Sequence, residues 1–100
     1  MHVAKLHPGR IEENLAASNA AFDFIEAHGA TNARLFQLLN AGSGAGLLMA
    51  TWEHDSMAAY GRVMDAFGND PAGQAISAAQ LAPDPVSTPT FDGLYARIPL

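Results

Sequence analysis

The spacing of apolar residues along the chain switches repeatedly between the period of a strand and that of a helix. Met1 to His7 predicts a short strand, ended by Pro8-Gly9, because proline cannot continue a ladder and glycine eases the turn. Ile11, Leu15, Ser18, Phe22 and Ile25 then fall within about 80° of one another on a helical wheel, while Glu12, Glu13, Asp23 and Glu26 lie off that stripe. This predicts an amphipathic helix with Glu12 and Glu13 at its positive dipole end and Gly29 as its stop. Phe24 falls on the far side from the stripe and is expected to be exposed. Asn32 to Asn40 and Leu47 to His54 read as strands, joined by a hairpin loop over the glycine-rich segment 41–46.

Asp55 or Ser56 can cap the next helix. Its expected buried stripe is Met57, Tyr60, Gly61, Met64 and Phe67, with Gly61 allowing close approach to the sheet. Gly68 and Asn69 end it, and Asp70-Pro71 restarts a short helix to about Ala79. Residues 82–89, with three prolines, form a linker, and Phe91 to Ile98 is the last strand. The order strand, helix, strand, strand, helix, strand predicts one α+β domain over residues 1–100. Its compact form is a ferredoxin-like β-α-β-β-α-β unit, a four-stranded antiparallel sheet with two helices on one face.

Composition narrows what such a domain can do. With 49% hydrophobic residues a folded chain is expected, but 100 residues make only a thin core, which a partner covering the free sheet face would supplement. The net charge is −5, and Lys5, Arg10, Arg34, Arg62 and Arg97 are scattered rather than clustered, which argues against nucleic acid and anionic membranes as partners. No apolar run approaches a membrane span or a signal core, so a cytoplasmic location is the expectation. Without cysteine there are no disulfides, thiolate metal sites or thiol nucleophile.

The Pro8-Gly9-Arg10 turn before the first helix, the segment from Thr51 to Tyr60 and the triplet Asp70-Pro71-Ala72 together resemble the dimeric α/β-barrel superfamily. That resemblance implies two ferredoxin-like domains packed sheet to sheet as a homodimer. Members include antibiotic-biosynthesis monooxygenases, haem-degrading monooxygenases, stress-response proteins and cyclases. Trp52 resembles the tryptophan that faces haem in the haem-degrading members. However, the helix from Met57 to Gly68 has no histidine to ligate haem, and the first strand lacks the asparagine of those enzymes. No cofactor is therefore expected.

Strand alternation sorts the side chains into two faces. Ala4 and Leu6, then Leu48, Ala50 and Trp52, then Leu94, Ala96 and Ile98 form the set expected against the helices. On the second strand Phe36 and Leu38 look more like core than Leu35, Gln37 and Leu39 do. The polar remainder, Lys5, Gln37, Thr51, Glu53, Tyr95 and Arg97, converges on the other face, where Glu53 could pair with Arg97 or Lys5. These groups either hold a dimer interface together or anchor a ligand in an apolar pocket. Alternation places Trp52 against the helices, whereas the haem-enzyme resemblance would put it in the cavity.

The pocket candidates are thus Gln37, Trp52, Glu53, His54, Tyr95 and Arg97. His2 and His7 fall on opposite faces of a strand, His28 sits at a helix end, and His54 lies at a strand-helix junction, so no local spacing supplies a metal site. The serines lie in no nucleophile-elbow context, and the glycines at 42, 44 and 46 precede no helix. The function expected is binding of a small apolar molecule. The alternatives are a cofactor-independent monooxygenase or cyclase acting on an aromatic or polyketide-like substrate, and a structural or regulatory interaction module without ligand.

Overall fold

A computed structural model describes residues 1–39, 46–81, 87–96, 98 and 99, apart from the side chains of residues 90 and 91. The chain runs β1 (His2–Leu6), α1 (Ile11–Ala27), β2 (Thr31–Gln37), β3 (Leu48–Glu53), α2 (Met57–Asn69), α3 (Pro71–Gln80) and β4 (Ser87–Asp92). The four strands form one sheet in the order β2-β3-β1-β4, every neighbouring pair antiparallel. This α+β architecture is compatible with a ferredoxin-like fold. The expected hairpin loop falls mostly on residues 40–45 and most of the expected linker on 82–86, outside the described residues.

The helical layer holds three helices rather than two. Asp70 ends α2 in an extended conformation, and its carboxylate accepts a hydrogen bond from the Ala72 amide at 2.9 Å, capping α3, with Pro71 at its first position. The restart makes α3 long enough to pack, and it rests on both α1 and α2. Gly73 is where it does so. A Cβ there would lie 2.7 Å from the Ala66 carbonyl oxygen, 2.7 Å from Phe24 Cζ and 2.8 Å from Phe67 Cα. Only glycine permits that approach. Phe24, expected to be exposed, is therefore buried beneath α3, its ring 4.9 Å from that of Phe67. Gly61, expected to make the close approach, has nothing near its Cβ position.

The last strand is also displaced. It spans Ser87–Asp92, not Phe91 to Ile98, and includes Pro89. β4 is an edge strand paired only with β1, where a missing amide costs no second ladder, and the register shifts beside Pro89. Leu94 and Ile98, expected in the core, are consequently exposed.

Register fixes the two faces of the sheet. Leu35 and His2 lie opposite Ala50, and Gln37 and Ala4 opposite Leu48; Phe36 and Val3 share the other face with Met49. Ala33 and Trp52 pack against the core of Phe24, Ile25, Ala30 and Val63, so the first set faces the helices. The expectation for β2 is thus reversed: Leu35 is inward and Phe36, 43% exposed, is outward. At the start of this strand Asn32 takes a left-handed conformation (φ 53°), within a register shift between Thr31 and Arg34.

Candidate functional site

The core lies to one side of the domain, where the C-terminal half of α1 meets α2, α3 and the start of β2. Elsewhere the helices and the sheet stand apart and enclose a broad cleft of about 1430 Å³. Leu35, Leu48, Ala50 and Trp52 supply one wall, and Phe22, Ile25, Met64 and Phe67 the other. Both predicted helical stripes contribute to this cavity. Ser18, Phe22 and Ile25 reach it from α1, and Met57, Tyr60, Met64 and Phe67 from α2. The fully buried seam of α2 is instead Ala59 and Val63, about 100° round the helix from the expected stripe.

One end of the cleft is built by the junction between β3 and α2. Ser56, in extended backbone, caps α2 by accepting a hydrogen bond from the Ala59 amide at 3.0 Å. That cap fixes the exit of β3 and hence the run Trp52-Glu53-His54. Trp52 faces the helices, as alternation predicts, and there it both packs on the core and lines the cleft. Glu53, on the rim, accepts a hydrogen bond from the Asn32 side-chain amide across the β2–β3 pair. Among the described residues Glu53 makes no ion pair with Lys5, and Arg97, its other expected partner, lies outside them.

His54 packs edge-on against the Tyr60 ring, with centroids 5.3 Å apart and an interplanar angle of 81°. Both its ring nitrogens are buried, and neither has a hydrogen-bond partner among the described residues. Burial pushes its pKa below the ordinary imidazole value, and the nearby N-terminal ammonium pushes it the same way. The Met1 ammonium itself donates to the Gly93 carbonyl at 2.9 Å; burial lowers its pKa, and Asp92 partly offsets that shift.

Of the six candidates, the cleft brings together Trp52, Glu53, His54 and Tyr95. Tyr95 arrives there from the segment beyond β4, 59% exposed, rather than from a strand. Gln37 is exposed at the end of edge strand β2 and does not line the cleft. Arg97 lies outside the described residues. The expected convergence of polar groups on the outer sheet face therefore does not form as drawn, because Gln37 turns with Leu48 toward the helix side.

The remaining histidines each have a partner, and His2 and its partner Asp92 also line the cleft. His2 contacts Asp92 at 2.6 Å, His7 contacts Thr88 at 2.6 Å, and His28 Nδ1 contacts the Phe24 carbonyl at 2.8 Å. Among the described residues no three His, Asp or Glu side chains come together in a metal-binding cluster, and no helix is long and apolar enough to cross a membrane.

One cleft residue escaped the sequence reading. Asn14 is 7% exposed and is the single buried polar side chain among the described residues. It lies only about 20° outside the α1 stripe, so a polar residue beside Ile25 and four positions before Ser18 was the available signal. Comparison with known proteins gives no match to this chain among protein-family models, curated proteins or solved structures.

Proposed function

We propose that this domain binds a small, largely apolar molecule in the cleft between its sheet and its helices. The observation that carries this is the cleft itself, a cavity of about 1430 Å³ walled by apolar side chains from both layers. Polar side chains such as Asn14, Ser18, His54 and Tyr95 are set among these apolar walls, as in a small-molecule site. Trp52, His54 and Tyr95 are the side chains positioned to contact such a molecule from the β3–α2 end. The test is an amide NMR titration with 2-ethylnaphthalene. Saturable shifts centred on Ala50, Trp52 and Met64 are expected. No shifts, or shifts centred on Phe36 and Met49 of the outer face, would overturn the proposal.

The same proposal includes a homodimer, paired through the outer sheet face as the superfamily resemblance implies. One observation supports it: Phe36 is 43% exposed on that face. Light scattering should give twice the chain mass, and Phe36→Asp should return it to one. A wild-type monomer at micromolar concentration would rule out the pairing.

A further inference from the structure

We propose that Asn14, oriented by Ser18, is the polar anchor of the cleft, its carboxamide NH2 donating to a carbonyl oxygen on an otherwise apolar ligand. This rests on the reading of the cleft as a ligand site and adds the chemical class of the ligand. Asn14 sits in the second turn of α1, where its backbone amide is already committed to the Arg10 carbonyl at 2.9 Å. Its side chain is more than nine-tenths buried, yet it lines the cleft rather than the packed core. A carboxamide carries two donors and an acceptor. Among the described residues its one partner is Ser18, whose hydroxyl donates to Oδ1 at 3.4 Å.

Ser18 therefore turns the amide so that its oxygen lies along the helix and its NH2 is left over. Among the described residues only the His54 ring nitrogens are buried without a partner, so the Asn14 NH2 still meets the water of the cleft and is open to an acceptor arriving there. Ala17 and Ala21, also on the cleft wall, are too small to cover the amide. Because the unmet groups are donors, the complement is a ketone, quinone or ester oxygen rather than a hydroxyl proton. His54 cannot substitute in this role, since both its ring nitrogens are sealed from solvent.

The experiment compares two probes of nearly equal shape, 2-acetonaphthone and 2-ethylnaphthalene, which differ by a carbonyl in place of a methylene. In the wild-type chain the ketone should bind about fivefold more tightly, the worth of one net hydrogen bond. In Asn14→Leu the two affinities should become equal. The Asn14 side-chain NH2 resonances of the wild type should also move downfield with the ketone and not with the hydrocarbon, a readout that needs no variant to fold. Equal wild-type affinities, a preference that survives Asn14→Leu, or an NH2 signal unmoved by the ketone would each overturn the anchor while leaving the cleft as a site. Binding of neither probe would overturn both.

Discussion

The two ends of the helical layer are made from similar residues and are packed in opposite ways. At the α1 C-terminus, Phe24, Ile25, Val63 and Phe67 close on one another around Gly73, with Val63 fully buried. At the α1 N-terminus, Ile11 and Leu15 remain 45% and 44% exposed, though they belong to the same stripe as Ile25. The difference is α3. It packs over the first end at Gly73, so one hydrophobic pattern gives a core there and exposed side chains at the other end. Apolar pattern shows which side chains turn away from water; a neighbouring element decides whether they meet anything.

The contrast can be broken at several points. Ile25→Ala should cost about 2–5 kcal/mol in urea denaturation, because this side chain is 2% exposed and belongs to the packed core. Gly73→Ala comes next, at about 1–3 kcal/mol. Two of its three short contacts are to backbone atoms, which yield less readily than a side-chain tip. The loss should be partly recovered by Phe24→Leu, which trims one of those contacts. Leu15→Ser should be the mildest of the three, within about 0.5 kcal/mol, as for other exposed positions. If Leu15→Ser proved as damaging as Ile25→Ala, the two ends would not differ and the cleft would be closed in solution.

A smaller effect sharpens the open end. Burial lowers the pKa of His54 in the folded protein, so between its folded value and the ordinary imidazole value of about 6.5 the unfolded chain binds more protons. Its contribution to stability is therefore intact above about pH 6.5 and is lost as pH falls toward the folded pKa. Urea midpoints measured from pH 8 to pH 5 should decline in the wild type and decline less in His54→Phe. An identical slope in both would show that the imidazole protonates as easily in the fold as outside it.

Much of the fold could be read from local signals. The α1 limits followed from Pro8-Gly9 and Gly29, the α2 cap from Ser56, and the α3 start from Asp70-Pro71. Each depends on the backbone chemistry of one or two residues. Misreadings arose where a distant contact prevailed. Phe24 went inward because Gly73, about fifty positions later, offered it a seat. Leu35 and Phe36 exchanged faces because pairing with β3 sets Leu35 opposite Ala50 and Phe36 opposite Met49, whereas both are apolar and their character alone does not choose a face. β4 formed around Pro89 because an edge strand tolerates proline, and its edge position is a property of the sheet. The candidate site divided in the same way. Trp52, Glu53 and His54 were found because they are contiguous at a legible junction, whereas Asn14 was missed because its burial depends on elements packed against α1.

By itself, then, the sequence determined the elements from β1 to α3 and their punctuation. Those follow from interactions within a few residues, which act in any chain carrying the same segment. The tertiary structure alone decided the strand order, the covering role of α3 and the separation of the layers that leaves the cleft. These depend on contacts between residues far apart in sequence, where a single glycine or a one-residue slip in register redirects a whole face.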